Sequence, residues 1–206
     1  MSTPGPSRRQ ARSAKTRQAL RQAALDLFAT RGYDSVTTDM IAERAGVSPR
    51  TFFRYFPTKE SVLLGGKVDW NRSFVDKFPA QPATSNDVEA VCATFVALAP
   101  LLIGRRRRLL AYERAVASSS TLRGHVQDHQ AEDRGSIASA VAVRRGLTEP
   151  DESCHLLALV AFCAFRAALD SWLAGPAEED LGAAIAQYFE ILCDTMVADG
   201  STRFAS

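Results

Sequence analysis

The chain has 206 residues, 46% of them hydrophobic, a net charge of +2 and four cysteines. This is enough apolar material for one sizeable core, or for a small domain joined to a larger one, and no run of about 18 uncharged apolar residues offers a membrane span. Met1 to Gln22 is polar and basic and lacks the apolar segment of a signal peptide, so a cytoplasmic protein with no membrane partner is expected. The net charge conceals an asymmetry. Through Lys59 there are eleven basic and four acidic residues, and beyond it fourteen basic and nineteen acidic. A basic end on an acidic remainder suits a chain that docks on polyphosphate at one end only. Cys92, Cys154, Cys163 and Cys193 lie in apolar helical patterns without CxxC spacing, and are expected to be reduced core residues.

In chain order, Met1 to Ser13, rich in Ser, Pro, Gly and Arg, reads as a flexible basic arm. A first helix is expected over Ala14 to Arg31, burying Leu20, Ala24, Leu27 and Phe28 and stopping at Gly32. From Val36 to Glu60 come a helix, a glycine turn and a short basic and aromatic helix. Thr37 or Thr38 can cap the first of these, over Thr38 to Ala45, where Met40, Ile41 and Ala45 share an apolar face. Gly46 supplies the turn, Val47 packs between the helices, Ser48 caps the next, and Pro49 takes its first position. Phe52 and Phe56, one turn apart, face inward and leave Arg50, Thr51, Arg54 and Tyr55 for phosphates or base edges. The geometry is that of a DNA-reading helix-turn-helix, although short helix pairs around a glycine also occur in structural bundles.

A longer helix is expected from Lys59 to Phe78, then a loop at Pro79 to Asn86. Helical periodicity returns at Asp87 to Leu102, interrupted by Pro100, at Arg105 to Ala117 and at Thr121 to Arg145. Asp151 to Ala174 and Leu181 to Val197 carry more apolar surface than one core-facing stripe needs. That excess suits a helical dimer interface, with Phe165, Leu169, Trp172, Ile185, Phe189 and Leu192 as its candidates; a fully buried monomer core is the alternative. The fold is therefore expected to be all-α with about nine helices. Its expected divisions are an arm (1–13), a three-helix head (14–58), a ligand-binding and dimerisation domain (59–199) and a tail (200–206).

The ordered match from about Lys15 to Leu64 resembles the TetR family of bacterial transcription regulators. By that resemblance Thr38, Pro49, Arg50, Thr51, Phe53, Arg54, Tyr55 and Lys59 fall where the family contacts DNA. Arg50 suits bidentate readout of guanine, Thr51 a thymine methyl or a phosphate, Tyr55 and Lys59 the backbone, and Arg54 either task. Phe53 stands where the family often has a tyrosine, and Asp39 is acidic near the expected phosphate path. The resemblance also implies that the two closing helices pair across a two-fold axis. Two heads would then sit about one helical turn apart on a palindromic operator.

From Arg105 onward the chain is more loosely similar to a TetR subfamily with acyl-CoA-like ligands. A pocket for a flexible apolar effector would draw on Phe74, Phe95, Leu98, Leu110, Tyr112, Phe162 and Phe165, each of which also suits an ordinary core. Arg105 to Arg108 open a helix, where cations oppose the macrodipole. An anion would relieve this, and Arg106 and Arg107 are candidates for CoA phosphates; DNA, an acidic neighbour or plain solvation are the other readings. Arg166 either pairs with Asp170 one turn on or faces a ligand. His125 and His129 stand one turn apart without a full ligand set, so no metal and no cofactor are expected. No nucleophile elbow, phosphate-binding glycine loop or HExxH motif points to an enzyme. The expected function is a ligand-responsive repressor, a homodimer released from DNA by a small apolar or acyl-CoA-like effector. The alternatives are an activator, a ligand-independent regulator, or a helical binding protein or enzyme that retains the head.

Overall fold

The computed structural model describes residues 8–64 and 67–198, as ten α-helices and one 3₁₀ turn with no strand among them. The chain divides into two compact units. One runs through Val68 and also takes in Arg107–Asp128; the other takes Asp69–Arg106 and the residues from His129 on. The unit that holds the head thus includes a later stretch of chain as well.

In the first unit, helix α1 spans Arg8–Arg31, α2 Thr38–Arg44, α3 Pro49–Tyr55 and α4 Lys59–Leu64. Helix α1 begins within the stretch expected to be an arm, because Gln10, Ala11 and Arg12 are good helix formers and no Gly or Pro follows Pro6 until Gly32. The arm's first seven residues and the 200–206 tail lie outside the described residues. Thr37 caps α2: its hydroxyl oxygen accepts the Met40 N–H at 3.3 Å, and Thr38 becomes the first helical residue. Gly46, at φ 68°, turns the chain between α2 and α3, and the Val47 N–H closes on the Ala42 carbonyl at 3.0 Å. A side chain at that φ would be strained, so glycine fits the turn. Ser48 caps α3 by accepting the Thr51 N–H at 3.2 Å, with Pro49 at the first helical position.

Leu20, Ala24, Phe28, Ile41, Phe52 and Phe56 fill this unit's core, joined by Ala115 of α7 (Arg106–Ser118) and Leu122 of α8 (Ser120–Arg144). Burying a Phe or Leu side chain contributes about 1.5 to 3 kcal/mol, so Phe52 and Phe56 hold the short α3 where its seven residues could not hold themselves.

The single helix expected from Lys59 to Phe78 is two, α4 and α5 (Lys67–Lys77), followed by a 3₁₀ turn at Phe78–Ala80. Between them the sequence places Gly65 and Gly66, which fall outside the described residues and have the weakest helix propensity short of proline. In the second unit α6 spans Asp87–Ile103, α9 Glu152–Ala174 and α10 Leu181–Ala198. Asn86 and Glu89 form a reciprocal capping box at the start of α6, and Asp151 caps α9 by accepting the Cys154 N–H at 2.7 Å. Pro100 lies inside α6 rather than interrupting it. Helix α10 packs against both α9 and α6, and α6 against α9.

Helix α9 is long and apolar enough to cross a membrane by composition, but half of its apolar stretch is buried inside the unit, as in a core helix. Phe165, Leu169, Trp172, Ile185 and Phe189, expected at a dimer interface, are buried in the chain's own three-helix core, and Leu192 is half-buried. Among the described residues of α9 and α10, the large apolar side chains left exposed are a different set: Leu156, Leu159, Ile191 and Met196. Of the cysteines only Cys154 is buried; Cys92 is half-buried and Cys163 and Cys193 are exposed, which corrects their expected place in the core.

Candidate nucleic-acid interface and effector residues

With Phe52 and Phe56 locked inward, α3 turns Pro49, Arg50, Phe53 and Arg54 to solvent and leaves Thr51 and Tyr55 half-buried. Arg50 extends from the first turn of the helix. Phe53, 53% exposed, lays its ring edge-on to Phe52 at 5.4 Å between centroids. An aromatic ring held open in this way suits a sugar face or a thymine methyl, and it has no donor for a phosphate. The Thr51 hydroxyl sits 3.0 Å from that of Ser48, so the capping pair also orients it. Thr38, half-buried, sits in the first turn of α2.

The C-terminal end of α3 is braced against α1. Hydrogen bonds from Ser13, and then from Thr16 and Arg54, hold the Tyr55 phenol below its ordinary pKa despite opposing desolvation. The Arg54 guanidinium lies 5.1 Å from the Tyr55 ring centroid, and that of Arg17 lies 5.9 Å from the Tyr55 ring and 5.6 Å from the Phe56 ring. The Arg21 guanidinium lies 5.8 Å from the Phe56 ring. Stacking on aromatic faces orients arginines while leaving N–H groups for anions. Ser13, Thr16, Arg17 and Arg21 were not among the sequence candidates. Their i, i+3 and i+4 spacing on α1 marks a shared stripe, but nothing local in the sequence names α3 as its partner.

Lys59 turns inward. Its Nζ donates to the Tyr33 carbonyl at 2.8 Å and the Val36 carbonyl at 3.0 Å, and lies 4.0 Å from the Tyr33 ring centroid. This residue, expected to clamp the DNA backbone, ties α4 to the turn between α1 and α2. The neighbouring Tyr33 hydroxyl donates to Glu60. Burial, and then this bond to Glu60, push the Tyr33 phenol far above its ordinary value. Burial also pushes Glu60 up, but the Tyr33 hydrogen bond and the weaker ones beside it outweigh this, and the carboxyl lies below its usual range.

The effector candidates separate. Leu110, Tyr112 and the exposed Arg107 belong to the first unit, where Leu110 is half-buried and Tyr112 packs on the core. Phe74, Phe95, Leu98, Phe162 and Phe165 come together in the second. There Phe95 stacks on Phe165 at 4.4 Å and 12°, and meets Phe74 at 5.2 Å, which in turn stacks on Phe78 at 5.5 Å. Arg106, expected to face phosphates, is engaged elsewhere. One of its amino groups donates to the carbonyls of Trp172 and Leu173, each at 3.1 Å, and Gly175 at 2.6 Å, with its guanidinium 5.2 Å from the Trp172 ring centroid. The orphan carbonyls at the C-terminus of α9 thus provide the negative end that Arg106 needs. Arg166 donates to Asp170 at 2.9 Å, one turn on.

Comparison with known proteins accords with this arrangement. The model of bacterial regulatory proteins of the tetR family matches residues 20–65, and that of the MftR C-terminal domain matches residues 86–197. The HTH-type transcriptional regulator TcmR of Streptomyces glaucescens is 33% identical over 162 residues, 73% of this chain and 70% of its own. A crystal structure of Thermus thermophilus FadR, a TetR family transcriptional repressor in complex with lauroyl-CoA, superposes with a TM-score of 0.56 at 25% identity, over 92% of this chain and 97% of that one. FadR from Bacillus subtilis in complex with stearoyl-CoA shares the fold, with a TM-score of 0.57 at 19% identity over 85% of this chain and 96% of that one. With family models matched at both ends and a relative matched over most of its length, the chain belongs to the TetR family of bacterial regulatory proteins and is a DNA-binding transcriptional regulator, not an enzyme.

Proposed function

We propose that this regulator is a cytoplasmic homodimeric repressor that reads a palindromic operator with α3 and leaves it when an acyl-CoA-like effector binds the C-terminal domain. The observation that carries the DNA half is the outward face of α3, where Pro49, Arg50, Phe53 and Arg54 are exposed while Phe52 and Phe56 fix the helix from beneath. Arg50 reads a base, Phe53 packs on a sugar or thymine methyl, and Thr38, Thr51, Arg54 and Tyr55 position the phosphates. The domain limits follow the same division of labour, with DNA contacts before about residue 58 and effector and dimer contacts after it. The exposed apolar set of α9 and α10, Leu156, Leu159, Ile191 and Met196, supplies a face for a second copy in place of the buried residues of the same helices.

The effector half is supported by likeness to Thermus thermophilus FadR, a repressor crystallised with lauroyl-CoA. It is supported too by the aromatic and aliphatic lining that Phe74, Phe95, Leu98, Phe162 and Phe165 would give an acyl chain. An effector shifts occupancy only if it binds the DNA-free arrangement more tightly. The test is calorimetry of the full chain with a chain-length series of acyl-CoAs. Affinity is expected to rise by up to about 0.8 kcal/mol per buried CH₂ until the site is full. Binding of none of them, or binding indifferent to chain length, removes the acyl-CoA assignment and leaves the DNA-binding role in place.

A further inference from the structure

We propose that Cys92 and Cys193 form a hydroperoxide-sensing thiol pair, which oxidation joins into a disulfide tying α6 to α10. Neither DNA reading nor effector binding uses this chemistry, so the pair stands apart from both.

The four cysteines are free thiols, and two of them share one helix seam. On α10, Gly182, Ala186, Phe189 and Cys193 recur at i, i+4, i+7 and i+11, which places them along one stripe of the helix. That stripe faces α6. A Cβ at Gly182 would lie 3.5 Å from the Val96 Cγ1, and the Phe189 and Phe95 rings are 6.1 Å apart between centroids. As α10 advances from Gly182 to Phe189, its partner on α6 steps back from Val96 to Phe95, so the two packed helices run antiparallel. One turn further forward along α10 stands Cys193, and one turn further back along α6 stands Cys92. The register therefore sets the two cysteines opposite each other. Gly182 and Ala186 carry little or no side chain on this stripe, which favours the Cα separation of about 4.4 to 6.8 Å that a disulfide needs.

The two sulfurs differ in reach. Cys193 is exposed and Cys92 is half-buried. Burial, and then the nearby negative charge of a Cys193 thiolate and of Glu190, pushes the Cys92 thiol up to about 11. Cys92 therefore stays protonated and inert by itself at neutral pH, whereas an oxidant in solution meets Cys193 directly. The Cys193 thiolate attacks a peroxide oxygen; the S–O bond forms, the O–O bond breaks, and the other oxygen takes a proton and leaves as water or an alcohol. The Cys92 sulfur then attacks the sulfenic acid sulfur of Cys193; the S–S bond forms, the S–O bond breaks, and the hydroxyl leaves as water with the Cys92 proton. Two thiols are oxidised and one hydroperoxide is reduced. The exposed Cys163 lies on α9, outside this seam, and so serves as an internal comparison.

The experiment uses the full chain, reduced, freed of reductant and treated with hydrogen peroxide in small molar excess. The expected product has lost two of its four thiols and yields a Cys92–Cys193 cross-linked peptide on digestion. Its melting temperature is expected to rise by roughly 5 °C or more, and dithiothreitol to reverse every change. Cys92→Ser is expected to leave Cys193 as a sulfenic acid that dimedone traps, and then as a sulfinic acid that dithiothreitol does not restore. Cys193→Ser is expected to leave Cys92 a thiol at the same dose, and Cys163→Ser to form the bridge as the parent does. A parent chain in which Cys193 passes to sulfinic acid with no bridge overturns the proposal. So does a bridge through Cys163, within one chain or between two copies, and so do Cys92 and Cys193 that both remain thiols. The peptide map is read on the parent chain, so the outcome does not depend on any variant folding.

Discussion

The Ser119 hydroxyl donates to the Asp34 carboxylate at 2.9 Å, and its oxygen also accepts the Leu122 N–H at 3.1 Å. One buried side chain therefore caps α8 and holds the turn that follows α1, both within the unit that carries the helix-turn-helix. Helix α8 runs on from there to Arg144. A shift at the start of α8 would be felt directly at Asp34, four residues before α2 begins. Ser119→Ala removes the cap and the tie together and is expected to destabilise the protein by about 1 to 2 kcal/mol. With effector affinity retained, release of DNA by acyl-CoA is expected to weaken, as measured by anisotropy of a labelled operator. Undiminished release excludes this tie from the coupling.

The Tyr33 and Glu60 pair sets a pH window for the head. Glu60 lies below its usual range in the folded chain, so its contribution is present above the ordinary carboxylate pKa and is lost as pH falls through the folded value. The raised phenol of Tyr33 contributes in the opposite sense: its stability is present below the ordinary value near 10 and is lost above it. Thermal melts followed by far-UV dichroism are expected to be flat between about pH 5 and 9 on account of this pair. Glu60→Gln is expected to soften the acid decline, and an unchanged acid limb assigns that decline to other carboxylates.

Lys59→Ala tests what that side chain holds. Losing two charge-assisted bonds and a cation–aromatic contact is expected to lower stability by about 2 to 3 kcal/mol. If Lys59 only contacted phosphate, melting would be unchanged and the salt slope of DNA binding would fall by about 1.

Buried and exposed apolar residues of the last two helices separate folding from assembly. Phe165→Glu places a charge at a site 4% exposed and is expected to unfold the second unit. Leu159→Glu, at a site 45% exposed, is expected to give folded monomers by sedimentation with operator affinity lost. A Leu159→Glu variant that remains dimeric places the interface on another surface.

The local grammar of the head was legible because its signals act over four or five residues: the caps at Thr37 and Ser48, the positive-φ glycine at Gly46, and the inward pair Phe52 and Phe56. The second unit was legible as helices and less so as a site. Hydrophobicity marks Phe165 and Phe189 as buried without saying whether their own chain or a second copy buries them, and here the mutual packing of α6, α9 and α10 within one chain is the answer. Arg106 escapes a local reading for a related reason. An arginine at the start of its own helix finds its negative partner at the end of another, sixty-six residues or more along the chain, a distance no local pattern spans. Lys59 and Ser119 likewise act through partners far away in sequence.

One titration probes DNA reading and effector release together: the full chain on its selected palindrome, followed by fluorescence anisotropy, with lauroyl-CoA and then longer acyl-CoAs added at fixed salt. Specific, salt-dependent binding that Arg50→Ala reduces by about 1 to 3 kcal/mol on the palindrome and far less on random duplex, followed by release as acyl-CoA is added, is the predicted result. A complex that holds at saturating acyl-CoA, or an Arg50→Ala loss equal on both duplexes, would contradict it.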